Sequence, residues 1–442
     1  MNETIVSMKG ICKSFPGVKA LDHVDFALRS GEVMALLGEN GAGKSTLMKV
    51  LSGVYQRDAG ELEIFGKRYG DLNPKLAQEV GELPVSKQQM VEIAKALSTH
   101  AKVLIMDEPT SALTAREIDD LFRIIRELKS KGCGIVYISH RLEELQHIVD
   151  RVAIMRDGQY ITSFDFQDAS LDEIIAYMVG REIKEKFPRV ACKKGRKVFE
   201  VKGLNAGRMV RDTDFSLYEG EIVGFAGLMG AGRTETTRAI FGVDPKDSGQ
   251  IFLDGREVAI KNPRDAIQAG IVLAPEDRKK DGLCTKLSIR HNIALPNLDF
   301  LCDRFGVIKW GMEAEACAKA VQDLKIKTPS VEINAANLSG GNQQKVVVGK
   351  WLARNSRAVI FDEPTRGIDV AAKVEIYHLM NELKKQGIAV MFVSSEMPEV
   401  MGIADRIIVM CDGRITGELM AEDATQEKIL SLATQFEKKI AI

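Results

Sequence analysis

The chain has 442 residues, of which 45% are hydrophobic and 28% are charged, and its formal net charge is −1. This composition predicts a folded protein of two or three domains, and the near-neutral charge argues against a protein that coats nucleic acid. The seven cysteines include no C-x-x-C pair, which argues against a disulfide framework and a zinc site and favours a reducing compartment.

The N-terminus is polar, and Met1–Thr4 does not begin a signal sequence with a basic and then an apolar part. No apolar run approaches the roughly 18 residues that a membrane-spanning helix needs. We therefore expect a cytoplasmic protein that reaches a membrane only through partner subunits.

A glycine-rich stretch with the spacing G-x-x-x-x-G-K-S lies between the apolar run Val33–Leu37 and the helix-like run Leu47–Leu51. In a P-loop, backbone N–H groups surround a phosphate, the lysine adds a positive charge, and the hydroxyl binds Mg²⁺. The alternative is a chance turn, but strand, motif and helix follow in the order that the mechanism requires. We predict that the phosphate-binding residues are Gly38, Glu39, Asn40, Gly41, Ala42, Gly43, Lys44, Ser45 and Thr46, with Ser45 also a metal ligand.

Apolar and amphipathic segments alternate along the rest of this half of the chain. Val103–Met106 and Ile135–Ile138 have the composition of buried strands, and Glu117–Leu128 carries apolar residues at helical spacing. This alternation predicts an α/β fold in which helices cover a mostly parallel sheet.

The second half of the chain repeats the first. Two copies of this length indicate two domains of one fold, which we place at residues 1–183 and 198–442. The basic segment 184–197 between them is interpreted as a solvated linker, the alternatives being contact with nucleic acid or lipid headgroups. The matching stretches are Gly31–Gly38 with Gly220–Gly227, Gly41–Lys44 with Gly230–Arg233, and Met106–Thr110 with Phe361–Thr365.

The two copies differ in length at one place. Lys44 and Asp107 are 63 positions apart, whereas Arg233 and Asp362 are 129 positions apart, a difference of 66. Spacings on either side of this interval agree, so the shortening of the first copy lies between Gly66 and Leu83, and we place it near Glu79–Val80.

Leu338–Lys345 (LSGGNQQK) puts a serine and two glycines directly before a helix-like run. With the P-loop and the two acidic residues that end a strand, it closely resembles the ATP-binding-cassette ATPases. The stretches Lys13–Leu21, Glu363–Val370 and Ser394–Glu399 are similar to those of the ATPase subunits of bacterial monosaccharide importers. The resemblance implies two tandem P-loop nucleotide-binding domains of the ABC type.

This resemblance implies a role for each matching residue in a site that holds ATP and Mg²⁺. Asp107 would hold the metal through water, Glu108 would orient or deprotonate the attacking water, and His140 would sense the γ-phosphate. Phe15 would stack on adenine, with a place in the core as an equal alternative. The implied contacts from the second copy to this ATP are Ser339, Gly340, Gly341, Asn342 and Asp369.

The two copies depart from the family pattern at different places. The second has Arg233 in place of the P-loop lysine and Ser395 in place of the histidine, and arginine is not equivalent to lysine in a tight phosphate loop. The first lacks the glycines in Pro84–Gln89 and has Thr114 where the second has Asp369. If the cassettes meet head to tail, one ATP site is hydrolytic and the other at most binds nucleotide.

The resemblance implies an ATPase that drives monosaccharide import from the cytoplasmic side of the bacterial inner membrane. Its partners would be integral-membrane permease subunits and, indirectly, a sugar-binding protein, with no nucleic acid involved. Two alternatives stay open: a nucleotide-binding regulator with impaired transport, suggested by the missing segment, and a soluble tandem ATPase acting on ribosomes or DNA. The missing segment would also remove the loop that reports the state of the site to the permease.

Overall fold

The computed structural model describes residues 3–15, 18–39, 41–69, 101–110, 113, 115–139, 142–180, 185–352, 354 and 356–436. The chain divides into two compact units. The first comprises Met1–Lys184 with Asp369–Ala371, and the second comprises Glu185–Ile368 with Ala372–Ile442. Within the described ranges, no helix is long and apolar enough to cross a membrane.

The first unit contains nine described strands and four described α-helices. The strands are β1 (Thr4–Phe15), β2 (Val18–Arg29), β3 (Val33–Leu37), β4 (Ala59–Ile64), β5 (Lys67–Tyr69), β6 (Val103–Asp107), β7 (Gly134–Ile138), β8 (Arg151–Arg156) and β9 (Gln159–Asp165). The helices are α1 (Lys44–Leu51), α2 (Ala115–Ser130), α3 (Leu142–Leu145) and α4 (Leu171–Val179), with a 3₁₀ turn at Phe166–Asp168.

These strands form two sheets. One is antiparallel, in the order β2-β1-β4-β5, and the other has the order β6-β7-β3-β8-β9 with parallel pairing from β6 to β8. Every residue of β3 and β7 is buried, as expected for strands covered on both faces. The carboxyl ends of β3 and β6 lie at the same edge of this sheet, which brings the loop after Leu37 close to Asp107.

The second unit repeats this arrangement at greater length. Its strands are β10 (Lys197–Ala206), β11 (Val210–Tyr218), β12 (Ile222–Gly227), β13 (Ser248–Leu253), β14 (Arg256–Glu257), β15 (Ile271–Ala274), β16 (Ala358–Asp362), β17 (Ala389–Val393), β18 (Arg406–Cys411) and β19 (Arg414–Met420). Its α-helices are α5 (Arg233–Phe241), α6 (Pro263–Ala269), α7 (Ile289–Ala294), α8 (Leu298–Leu301), α9 (Trp310–Asp323), α10 (Gly340–Leu352), α11 (Val370–Lys385), α12 (Met397–Ile403) and α13 (Gln426–Ala433). Short 3₁₀ or π turns lie at Arg278–Gly282, Leu295–Asn297 and Ala335–Asn337.

The sheet orders of the second unit are β11-β10-β13-β14 and β15-β16-β17-β12-β18-β19. The second order matches the first unit strand for strand, with β15 added in parallel beside β16. All five residues of β16 are buried, whereas three of the five residues of β6 are half-buried and Asp107 is exposed. The predicted junction at Glu79–Val80 lies outside the described residues.

The prediction of two α/β domains with mostly parallel, helix-covered sheets is confirmed. The strand predicted at Val33–Leu37 has those bounds, and the helix predicted over Glu117–Leu128 is the central part of α2. A continuous apolar run was enough to predict the buried strand, and apolar residues at helical spacing were enough to predict the helix.

Most described side chains of the basic segment between the two repeats are exposed, but part of its backbone is held by the second unit. In its described part, Asn381 Nδ2 donates a hydrogen bond to the carbonyl oxygen of Pro188 at 2.7 Å. Lys384 Nζ donates to the carbonyl oxygen of Val190 at 2.6 Å, and both donor side chains are 1% exposed. Buried polar groups of α11 therefore anchor this segment to the second unit.

Candidate active site

Two glycines of the first glycine-rich loop allow the backbone to pass very close to neighbouring carbonyl groups. Gly38 has φ 150°, and a Cβ there would lie 2.1 Å from the carbonyl oxygen of Met155. Gly43 has φ 95°, and its Cβ would lie 2.6 Å from the carbonyl oxygen of Ala20. Both positions therefore require glycine for steric reasons. The loop leads directly into α1, whose N-terminal N–H groups suit an anion.

Lys44, the first residue of α1, folds back over this loop. Its Nζ donates hydrogen bonds to the carbonyl oxygens of Gly38 at 2.8 Å and Glu39 at 3.0 Å. Burial lowers the pKa of Lys44, and the nearby carboxylates of Glu108 and Asp107 oppose this effect. The ammonium group thus bonds the backbone of the glycine-rich loop and senses the charge of the two acidic residues.

The two predicted metal ligands meet at the edge of the sheet. Ser45 Oγ donates a hydrogen bond to Asp107 Oδ2 at 3.0 Å, and both residues are exposed to solvent. A hydroxyl and a carboxylate are oxygen donors of the kind that Mg²⁺ prefers, with water completing its coordination. The donor set and its exposure fit the predicted magnesium ion.

Glu108 is held by a sharp backbone turn at the end of β6. It has φ 49°, which is uncommon for a residue with a side chain, and its N–H donates to the carbonyl oxygen of Ile138 at 2.8 Å. Glu363 repeats this geometry in the second unit, with φ 46° and a 2.9 Å bond to Val393. The fold therefore fixes where both glutamates leave their strands.

A buried glutamate that sequence reasoning missed holds the same turn. Thr110 Oγ1 donates to Glu144 Oε2 at 2.8 Å, and Tyr137 Oη donates to the same oxygen at 3.2 Å. In the second unit, Thr365 Oγ1 donates to Glu399 Oε2 at 2.7 Å. The comparison of the repeats could have found this pair, because both residues keep their spacing from the acidic pair in each copy.

The remaining predicted residues of the first site have different outcomes. Phe15 is 37% exposed, and its ring lies edge-on to Tyr55 with centroids 5.2 Å apart, so it is a surface aromatic rather than a core residue. Gly41 and Thr46 belong to the described loop and α1, and Ala42 is buried. Asn40, His140, Thr114 and Pro84–Gln89 lie outside the described residues.

In the second unit, the side chain of the arginine that replaces the P-loop lysine is bound by other groups of the protein. Arg233 is 9% exposed, its Nη1 donates to the carbonyl oxygen of Ser394 at 2.5 Å, and its Nη2 lies 3.8 Å from Glu363 Oε1. Burial lowers the pKa of Arg233, an effect that the carboxylate of Glu363 opposes. The guanidinium therefore points at the acidic residues of its own unit.

Asp362, the counterpart of Asp107, is enclosed. It is 1% exposed, and its two carboxylate oxygens accept hydrogen bonds from Thr234 at 3.2 Å and Thr237 at 3.0 Å. Burial raises the pKa of both Asp362 and Glu363. Asp362 thus has less access to water than Asp107.

Neighbouring residues pack closely against the two glycines of the LSGG stretch. A Cβ on Gly341 would lie 2.6 Å from Cβ of Ala372, and one on Gly340 would lie 2.7 Å from Arg278 Nη2. Ser339 is exposed at the start of α10 and accepts a hydrogen bond from Asn342 Nδ2 at 3.0 Å.

Asp369 is half-buried and directly precedes α11. The contribution of Asp369, Ser339, Gly340, Gly341 and Asn342 to the ATP site of the other cassette stays a prediction.

The chain is similar to several known proteins. The family model described as "ABC transporter" matches residues 21–82 and 210–366. A putative ribose/galactose/methyl galactoside import ATP-binding protein of Albidiferax ferrireducens is 47% identical, with 98% of each chain covered. The ribose import ATP-binding protein RbsA of Bacillus subtilis is 45% identical, with 97% of this chain and 99% of the relative covered. A solved ATP-binding cassette of an ABC transporter covers 54% of this chain and 98% of its own length at 19% identity, with a TM-score of 0.47.

Proposed function

The chain belongs to the ABC transporter ATPases with two cassettes, and from this premise we propose that it hydrolyses ATP with Mg²⁺ to drive the import of a monosaccharide. The import function is supported by relatives at 45–47% identity, which are named as ribose, galactose or methyl galactoside import ATP-binding proteins. Its partners are integral-membrane permease subunits, to which a sugar-binding protein delivers the sugar. The chain works on the cytoplasmic side of the membrane.

The reaction is the transfer of the γ-phosphoryl group of ATP to water. The loop N–H groups and Lys44 hold the phosphates, and the ammonium exchanges its bonds to the carbonyl groups of Gly38 and Glu39 for phosphate oxygens. Ser45 and Asp107 would hold the magnesium ion, which neutralises charge on the phosphates. Glu108 orients the attacking water and accepts its proton.

We further propose that only the first P-loop supports hydrolysis. The observation that carries this proposal is the contrast between exposed Asp107 and Asp362, which is 1% exposed and whose two oxygens are occupied by threonine hydroxyls. Arg233 reinforces the contrast, because its guanidinium is engaged by Ser394 and Glu363.

The test is to compare Glu108→Gln with Glu363→Gln in the full chain. Glutamine keeps the shape and accepts hydrogen bonds but cannot accept the proton of water, so we expect Glu108→Gln to lower ATP turnover about 10²-fold or more. Glu363→Gln should retain most of the turnover. It serves as the matched control, because the two glutamates occupy equivalent turns in the two units. Equal losses in the two variants would contradict the proposed asymmetry.

A specific observation also supports weakened coupling to transport. The alignment with the Albidiferax ferrireducens relative extends over 502 positions, 60 more than the 442 residues of this chain. The first match to the family model ends at residue 82, close to the place where the repeat is 66 residues short. We propose that the chain keeps an ATP site but lacks the segment that links the first site to the permease.

A further inference from the structure

We infer that a transition-metal ion, Zn²⁺ in the first place, binds to Cys12, Asp22 and His23 on the antiparallel sheet of the first unit. One potential ligand atom from each of these residues lies within 4.8 Å of the other two. Thiolate, carboxylate and imidazole are the three side-chain ligands that zinc uses, and three of them with one water form an open tetrahedral site. Such a site needs no C-x-x-C pair in the sequence, because the pairing of β1 with β2 brings its three ligands together.

A β-bulge brings the three residues together. Ile11 pairs with Val24 and Lys13 pairs with Leu21, so Cys12 of β1 faces two residues, Asp22 and His23, of β2. His23 has φ 51°, as expected where an extra residue bends the strand. Two neighbouring side chains can therefore approach the same partner, which a regular strand with alternating faces does not permit.

The donor atoms are close to a coordinating arrangement. The N–H of His23 donates to Cys12 Sγ at 3.4 Å, and His23 Nδ1 lies 2.7 Å from Asp22 Oδ1. With zinc bonds of about 2.0–2.1 Å to nitrogen and oxygen, a tetrahedral pair of these atoms is about 3.3 Å apart. The two atoms therefore need to separate by about 0.6 Å, from 2.7 Å to about 3.3 Å.

The charges around the cluster also permit a cation. Asp22 Oδ1 already lies beside two nitrogen atoms, Lys19 Nζ and His23 Nδ1. Lys19 Nζ lies 2.6 Å from Asp22 Oδ1 and must move when the metal binds, which is feasible because its side chain is 51% exposed. Gln159 Nε2 donates to the other oxygen of Asp22 at 3.3 Å and can keep that bond.

The second unit shows that the bulge itself needs no metal ligands. There Asn205 faces Arg211 and Asp212, between the pairs Leu204 with Thr213 and Ala206 with Val210. The N–H of Asp212 donates to Asn205 Oδ1 at 3.0 Å, and Asp212 has φ 48°. The backbone is thus the same, and the thiol and the imidazole are found only in the bulge of the first unit.

The experiment is a Co²⁺ titration of the full, nucleotide-free chain with its thiols kept reduced. Cobalt reports a thiolate ligand through a charge-transfer absorption, which the oxygen ligands at Ser45 and Asp107 cannot produce. We expect this absorption to saturate at one equivalent of metal and to disappear when Zn²⁺ displaces cobalt. No thiolate absorption would overturn the inference.

The matched variant combines Cys12→Asn with His23→Asp, which copies the bulge of the second unit. It keeps an acceptor for the bulge N–H, so we expect an unchanged far-ultraviolet circular dichroism spectrum and unfolding midpoint, together with loss of the thiolate absorption. An undiminished absorption in this variant would show that another cysteine binds the metal and would also overturn the inference.

Discussion

Replacing Thr110 with valine tests whether the buried glutamate behind the first acidic pair positions the attacking water. Thr110 is 2% exposed and follows Glu108 by two residues, and its hydroxyl donates to Glu144 Oε2 at 2.8 Å. Valine has nearly the same shape, so the main loss is one hydrogen bond to a buried carboxylate, worth about 1.5–3 kcal/mol. Losing this bond lowers the free energy of unfolding, and it also leaves the backbone turn that positions Glu108 less constrained.

A displacement of about 1 Å in a catalytic group can lower a rate about 10²-fold. We therefore expect Thr110→Val to lower kcat for ATP about ten- to a hundredfold. KM should change little, because Lys44 and the glycine-rich loop, which we propose to bind the phosphates, are not held in place by the bond between Thr110 and Glu144. Steady-state ATP turnover and nucleotide binding, measured on the same preparation, separate these two effects.

Thr365→Val is the matched control. Thr365 is also 2% exposed and donates to Glu399 Oε2 at 2.7 Å, so it loses an equivalent bond. Ser394 at 2.9 Å and Lys373 at 2.8 Å still bond Glu399 in this variant, as Tyr137 still bonds Glu144 in Thr110→Val, so the two variants should lose similar stability. If both variants lose turnover equally, or if Thr110→Val weakens nucleotide binding and leaves kcat unchanged, the positioning role is refuted.

Two further predictions concern the stability of the second unit and the missing segment. Lys350 Nζ donates to the carbonyl oxygen of Gly282 at 2.5 Å, and burial lowers its pKa from 10.5 to about 8. Between these values the unfolded chain binds more protons than the folded one, so this group makes the free energy of unfolding rise with pH, by about 3 kcal/mol in all. We expect Lys350→Met to remove that part of the rise, as measured by urea unfolding at pH 7.5 and 10.5, and parallel pH profiles would contradict this. Inserting the 66-residue segment of a relative near Glu79–Val80 should raise sugar uptake per ATP hydrolysed in permease-containing vesicles, and unchanged uptake would argue that coupling is intact without it.

Sequence patterns were informative where a local rule determines the structure. The apolar run Val33–Leu37 and the glycine spacing after it were sufficient to predict the strand and the glycine-rich turn that follows it, because both depend on short-range geometry. The bond between Thr110 and Glu144 spans 34 positions and depends on how β6 and β7 pair with each other. No periodicity in the sequence predicts such a contact. The repeat gives one indirect signal, because both residues keep their spacing from the acidic pair in each copy.

The basic linker and the metal-ligand cluster show the same limit. Composition describes the exposed side chains of the segment before β10, but its backbone is anchored by Asn381 and Lys384, which lie almost 200 positions away. Cys12 and His23 are 11 positions apart, a spacing that matches no metal motif, and only the bulge makes them neighbours. In both cases the arrangement depends on contacts between residues that are distant in the sequence, which composition and spacing do not report.

The two aspartates that end β6 and β16 also differ in their hydrogen bonding, and this difference has a cause in the sequence that does not depend on the missing segment. The repeat aligns Ser45 with Thr234 and Met48 with Thr237, because both pairs are 189 positions apart. Thr234 and Thr237 each bond one oxygen of Asp362, whereas the side chain of Met48 has no donor to offer Asp107. A carboxylate holds a metal or its water through a lone pair that no side chain already uses. The single exchange of a threonine for a methionine on the first helix therefore favours a metal-binding aspartate in the first unit, whether or not a strand equivalent to β15 covers it.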